Sequence, residues 1–171
     1  LGFWCLPQRF RQLFLLTGVL SFFLSSVLDN LTTALVMGTV AMALGRDNPR
    51  FVVLTCISVV IAANAGGAFS PFGDITTLMV WQQGKLEFFE FFDLFLPSLV
   101  NWLVPAALMY AAVPNEKPAP VMEKVQGKPG MLGVVVLFAM TIATAVAFKN
   151  FLQLPPALGM MLGLGYLQMF A

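Results

Sequence analysis

The sequence predicts an all-α polytopic membrane protein with one broken transmembrane helix. Three observations carry that reading. Hydrophobic residues make up 59% of the chain and charged residues only 10%, against about 25% charged in a soluble domain. Two acids, Asp29 and Asp74, stand inside apolar sequence, where a carboxylate is costly and marks a functional site by default. Three Gly and a Pro, at Gly66, Gly67, Pro71 and Gly73, interrupt one of the longest apolar stretches and are expected to break its helix.

Charge-free stretches run over residues 12–28, 30–45, 51–73, 94–115, 129–148 and 150–171. A bilayer crossing needs about 20 apolar residues, and the last four qualify. The first two hold about 16 residues each and cover roughly 25 Å at ~1.5 Å per residue. They flank Asp29-Asn30, so residues 12–45 form either a re-entrant hairpin with its tip near mid-membrane or two short tilted spans. Length leaves both open. Arg9 and Arg11 precede the first arm and Arg46 and Arg50 follow the second, which puts both ends of the pair on the cytoplasmic side by the positive-inside rule.

A broken helix over about 51–84 then crosses to the other face, delivering Lys85, Glu87, Glu90 and Asp93 there. In residues 86–96 the acids recur at every third position with Phe between them, which suits an interfacial helix over about 86–93. A span over about 94–113 returns. Residues 114–130 hold four Pro with Lys117, Lys124 and Lys128, a cytoplasmic linker between bundle halves. Residues 1–113 thus form a first-repeat core, and residues 131–171 the truncated start of a second half. No Met opens the chain and it stops in an apolar run, so we read it as a piece of a longer polypeptide. The opening segment is neither cleanly basic nor followed by a small-residue cleavage site, unlike a signal peptide.

Several classes find no support. The net charge is +1 and there are no basic runs with interleaved aromatics, so nucleic acid is not an expected partner; membrane lipid and the rest of the same polypeptide are. His is absent and the two Cys, Cys5 and Cys56, are far apart, which removes zinc sites, disulfide frameworks and Cys catalysis. No enzyme and no cofactor are expected.

The two acids have similar settings. The first is S-S-V-L-D-N-L-T-T, with Ser25, Ser26, Asp29, Asn30, Thr32 and Thr33; the second is N-A-G-G-A-F-S-P-F-G-D-I-T-T, with Asn64, Gly66, Gly67, Ser70, Pro71, Gly73, Asp74, Thr76 and Thr77. Each Asp precedes a Thr-Thr pair that opens an apolar helix, where its oxygens can accept from free backbone N–H groups. Unwound backbone at membrane depth is tolerated where it lines a cavity, and coupling-ion sites are built from such breaks. The oxygens of Asp29, Asn30, Thr32, Thr33, Asn64, Ser70, Asp74, Thr76 and Thr77, with carbonyls around Gly66, Gly67 and Gly73, suit a hard alkali cation rather than zinc or copper. We expect Na⁺ at Asp29, Asn30, Asn64 and Asp74. Burial and a second carboxylate raise a carboxyl pKa while a cation lowers it, so one carboxylate can exchange a proton for Na⁺ or Li⁺. Blander roles stay open: Asp29 and Asp74 as helix caps, Gly66 and Gly67 as close-packing residues, Asn30 and Asn64 as interhelical glue.

At these residues the sequence resembles the NhaD-type sodium/proton antiporters of the ion transporter superfamily. The two runs above, the second extended by L-M-V-W-Q, and L-P-P-A-L-G-M-M-L-G near the end carry the resemblance, which covers most of residues 13–170. It implies two inverted repeats, each with a re-entrant hairpin and a broken helix meeting at the ion site, of which one repeat is visible here. It implies a multi-pass protein of the bacterial inner membrane, a homodimer, and exchange of Na⁺ or Li⁺ for protons. A sodium-coupled dicarboxylate symporter or an arsenite-type permease of the same fold is the alternative; two carboxylates would repel an anionic substrate. A non-transporting membrane scaffold would need neither buried acids nor a broken helix. An intramembrane aspartyl protease lacks its Tyr-Asp and Gly-x-Gly-Asp motifs here.

Overall fold

The structure is a computed structural model and describes residues 9–116, 131–152 and 154–170. Residues 117–130, which hold most of the expected linker, lie outside the described residues. The chain divides into two compact units, residues 1–121 and 122–171. The described residues are helical throughout, joined by turns and short irregular segments, with no strand among them.

In the first unit, α1 (Phe10–Ser25), α2 (Asn30–Leu44), α3 (Pro49–Ala68), α4 (Ile75–Gln82) and α5 (Phe95–Ala112) follow one another. A 3-10 helix, Phe89–Leu94, leads directly into α5. The starts are chemically specified. Asp29 caps α2 by accepting from the Thr32 amide, Asn48 caps α3 by accepting from the Phe51 amide with Pro49 in the first turn, and Asp74 caps α4 by accepting from the Thr76 amide. Each cap satisfies backbone donors that have no partner inside the helix.

Helix α3 is the hub. It runs parallel to α1: the Phe10 and Phe51 rings meet at 4.5 Å near the two starts, and Gly66 lies against the Phe22 backbone near the two ends. A Cβ at Gly66 would overlap the Phe22 carbonyl oxygen, so only glycine permits this approach. Helix α2 is antiparallel to α3, with Gly45 against Phe51 and Val52 at one end and Asn30 against Gly67 at the other. Helix α5 is antiparallel to α1. Phe95 and Phe69 lie at 5.2 Å, Trp102 packs on Gly18, and the Arg11 Nε donates to the Val113 carbonyl at 3.1 Å. Phe22 joins these helices, lying 5.2 Å from Phe69 and 5.5 Å from Trp102. Aromatic pairs of this kind contribute about 0.5–1.5 kcal/mol beyond their burial.

This arrangement gathers like with like at each end of the unit. The starts of α1 and α3 and the ends of α2 and α5 share one end, together with Arg11, where the Phe10 amide donates to the Glu116 carbonyl at 3.0 Å. The tip between α1 and α2, the end of α3 and the start of α4 share the other. Outward faces stay apolar, with Leu31, Leu35, Val53, Leu96 and Leu108 all exposed.

Three boundaries differ from those the sequence predicts. Helix α3 continues through Gly66 and Gly67 to Ala68, and the interruption lies between it and Asp74, because the two glycines serve close packing and Pro71 falls in the turn. The acidic segment forms a 3-10 helix over Phe89–Leu94. Its three-residue turn stacks Glu90 and Asp93 on one side. In the second unit α6 (Met131–Leu152) and α7 (Pro156–Phe170) are antiparallel, with Gly163 against Thr141 and Gly159 against Ala145. Helix α7 begins at Pro156 rather than near residue 150, since prolines at 155 and 156 lack N–H donors and disfavour helix in the residue before them.

Two helical segments are long and apolar enough to cross a membrane, Pro49–Ala68 and Phe89–Ala112, with mean hydropathies of 2.0 and 1.5. Helices α1 and α2 are shorter, at 16 and 15 residues.

Candidate functional site

Four helix ends converge where the tip between α1 and α2 meets the interruption after α3. The ends of α1 and α3 bring backbone carbonyls; the starts of α2 and α4 bring N–H groups and the positive ends of their dipoles. The side chains between them form a chain of hydrogen bonds. Asn30 Nδ2 donates to Asp74 Oδ2 at 2.7 Å and to Asn64 Oδ1 at 3.3 Å. Asn64 is oriented by its own helix, donating from Nδ2 to the Val60 carbonyl at 2.9 Å. Ser25 Oγ lies 2.8 Å from Asn30 Oδ1 and 2.6 Å from the Ala63 carbonyl.

Asp74 divides its two oxygens between tasks. Oδ1 accepts from the Thr76 amide at 3.1 Å and closes the start of α4, while Oδ2 faces Asn30. Thr77 supports the same turn, its hydroxyl donating to the Asp74 carbonyl at 2.8 Å. Ser70 steadies the interruption, its Oγ accepting from the Phe72 amide at 3.2 Å.

The glycines make the site possible by lacking a side chain. A Cβ at Gly67 would collide with Asn30 Oδ1 and lie 2.8 Å from the Gly73 carbonyl oxygen. One at Gly73 would lie 2.6 Å from the Gly67 carbonyl oxygen and 2.7 Å from that of Ser25. These three carbonyl oxygens therefore crowd the place where the ends of α1 and α3 approach the start of α4. The set is all hard oxygen, the chemistry an alkali cation prefers. No group of three or more His, Cys, Asp or Glu suited to a transition metal occurs among the described residues.

Of the residues expected from the sequence, the structure brings together Asn30, Asn64, Gly67, Gly73 and Asp74, with Thr76, Thr77 and Ser70 holding the backbone around them and Gly66 holding α3 on α1. Asp29 and Thr32 stand apart from that network: the exposed Asp29 carboxylate accepts from the Thr32 amide at 2.8 Å and from the Thr32 hydroxyl. Thr33 is fully buried, and its hydroxyl is without a hydrogen-bond partner. Ser25 is the member that sequence reasoning passed over. It lies five residues before Asn30, on the far side of the tip, and only the fold of α1 against α3 carries it to both Asn30 and Ala63.

The family model described as citrate transporter (CitMHS) matches residues 4–167. The chain belongs to the citrate transporter family. The chain is 60% identical over 161 residues to the Na(+)/H(+) antiporter NhaD of Vibrio parahaemolyticus, covering 94% of this chain and 39% of that protein. It is 56% identical over 169 residues to the Na(+)/H(+) antiporter NhaD of Alkalimonas amylolytica, covering 98% and 35%. Sodium/proton antiporter 1 of Arabidopsis thaliana is 39% identical over 164 residues, covering 92% and 28%. The chain thus spans between a quarter and two fifths of these curated relatives. The resemblance to NhaD-type antiporters read from the sequence motifs is borne out. No solved structure matches.

Proposed function

We propose that the polypeptide to which this segment belongs exchanges Na⁺ or Li⁺ for H⁺ across a bacterial inner membrane, and that the segment supplies half of the ion site. The observation that carries the reading is Asp74: a half-buried carboxylate inside apolar sequence, at a helix break, with Oδ2 held by the Asn30 side-chain amide. Such a carboxylate binds either a proton or a cation. Occupation by one weakens the other, which is sufficient for exchange. Protons and the cation compete for one carboxylate, so cation affinity falls on acidification. Asp29, the residue before Asn30, is the second acid of this proposal, its carboxylate facing Thr32 rather than the network.

In this reading α1 and α2 form the re-entrant hairpin, α3 and α4 the broken helix, and the arginine-bearing end faces the cytoplasm. The remainder of the polypeptide supplies the inverted second repeat, and a homodimer is the expected assembly. The relatives named as sodium/proton antiporters support the activity. The description of the family as citrate transporters favours a second reading, sodium-coupled uptake of a carboxylate anion. Against it, no Lys or Arg among the described residues joins the Asn30–Asn64–Asp74 network to balance an anion.

Everted membrane vesicles containing the full-length protein separate the two readings. A preformed pH gradient, followed by acridine dye fluorescence, is challenged with Na⁺, Li⁺ or K⁺, and labelled citrate uptake is measured in parallel. Collapse by Na⁺ or Li⁺ without citrate accumulation supports antiport. Sodium-dependent citrate uptake with no cation response of the gradient supports the symporter.

A further inference from the structure

We infer that the Asn30 side-chain amide is a built-in substitute for the transported cation, and that it turns over when the cation binds, with Ser25 as the positioning residue that makes the turned state favourable. This rests on the cation site proposed above and adds how that site exchanges its occupant.

The orientation of the Asn30 amide is fixed by its partners. An ionised Asp74 can only accept, and Asn64 already spends its nitrogen on the Val60 carbonyl, so it presents Oδ1. Asp74 Oδ2 therefore takes Asn30 Nδ2 as its donor at 2.7 Å, and the same nitrogen lies 3.3 Å from Oδ1 of the exposed Asn64. These are the same two side-chain oxygens a cation would take. In the empty, ionised site the positive edge of an amide thus faces the place where a cation belongs, and it would repel one.

A planar amide has a simple remedy. Rotation by about half a turn around its Cβ–Cγ bond exchanges Nδ2 and Oδ1 with almost no change of shape. Asn30 Oδ1 then faces Asp74 and Asn64 and becomes a further oxygen ligand. The shape matters because Gly67 closes that side: even a methyl there would overlap Asn30.

Ser25 decides what the turned amide meets. Its hydroxyl carries one hydrogen but lies near two acceptors, Asn30 Oδ1 at 2.8 Å and the Ala63 carbonyl at 2.6 Å. Only one of these contacts can be a hydrogen bond at a time. After rotation both can: Asn30 Nδ2 donates to Ser25 Oγ, and Ser25 Oγ–H donates to Ala63. Ser25 is fully buried, so water does not substitute. The empty state is held by Asp74 and Asn64, the loaded state by the cation and Ser25, and one side chain alternates between them.

The test uses purified full-length protein, labelled with 13C- and 15N-asparagine and reconstituted in lipid. Infrared difference spectra with and without Na⁺ should show shifts of an asparagine C=O stretch and NH₂ deformation that are missing in Asn30→Asp. Asn64 keeps its N–H bond to Val60 in both states, so the NH₂ band reports Asn30. In transport, Ser25→Ala should raise the Na⁺ KM roughly three- to ten-fold, the worth of one hydrogen bond, with kcat changed less, and Ser25→Thr should restore it. Wild-type protein that exchanges Na⁺ for H⁺ but shows no Na⁺-dependent asparagine band would overturn the rotation and leave the cation site standing. An unchanged KM in a folded Ser25→Ala protein would overturn it too. Wild-type protein without Na⁺/H⁺ exchange would remove the site and the rotation together. The infrared measurement needs only wild type and its Asn30 reference, so it holds even where Ser25→Ala fails to fold.

Discussion

Asp29 and Asp74 look alike in sequence and differ in the fold. Both precede Thr-Thr, and both cap a helix. Asp29 places both oxygens on Thr32 and remains exposed, whereas Asp74 keeps Oδ2 for Asn30. Cap chemistry therefore separates the two roles of Asp29. Asn caps about as well as Asp, while Ala loses roughly 1 kcal/mol. We expect Asp29→Asn to match wild type in detergent-denaturation midpoint and Asp29→Ala to fall below it; any loss of transport in Asp29→Asn then reports the missing charge. Equal destabilisation of both variants would show that the Thr32 cap contributes nothing. The apolar settings of the two acids, and the oxygen-rich residue set around them, were legible from the residues alone. Which acid meets Asn30 and Asn64 was not, because that depends on the direction each side chain takes at its cap. Ser25 was visible in the first run but not counted among its ligands for a similar reason: only laying α3 against α1 carries it to Asn30 and Ala63.

At the scale of elements, the glycines divide into those that permit contact and those that do not. Gly66 and Gly67 are packed against Phe22 and Asn30, whereas Gly38 has open space around it. Gly67→Ala should abolish cation-dependent exchange in vesicles, since the added methyl displaces the Asn30 amide. Gly38→Ala should leave exchange intact and stabilise α2 by about 0.5–1 kcal/mol. A functional Gly67→Ala with unaltered Na⁺ dependence would contradict the packing described here. Glycine and proline content announced the interruption correctly but misplaced it by a few residues. Glycine weakens a helix without forbidding it, and tertiary packing kept Gly66 and Gly67 helical. The 3-10 turn at Phe89–Leu94 was likewise foreshadowed by acids at every third position, a spacing that suits either helix type at so short a length.

For the whole molecule, the charge pattern and the packing point the same way. Arg11 lies at the end shared by the starts of α1 and α3 and the ends of α2 and α5; the tip and the interruption lie at the other. In a cysteine-free background of the full-length protein, Arg46→Cys should react with an impermeant thiol reagent from the cytoplasmic side and Lys85→Cys from the opposite side. Val27→Cys, exposed at the tip, distinguishes a re-entrant hairpin from two short crossings. The hairpin predicts no labelling from the side opposite the arginines, and full crossings predict labelling there. The packing order of the helices in the first unit follows from short loops and small residues. The proposed second repeat is not legible in this segment, which covers 39%, 35% and 28% of the three curated relatives compared.

If one carboxylate holds either a proton or the cation, the two exclude each other, and equilibrium binding of 22Na⁺ to the purified full-length protein reads that exclusion. Wild-type affinity should fall on acidification as protons compete with Na⁺ for the site, with binding lost in Asp74→Asn. Sodium binding that is independent of pH, or that survives in Asp74→Asn, would contradict the account.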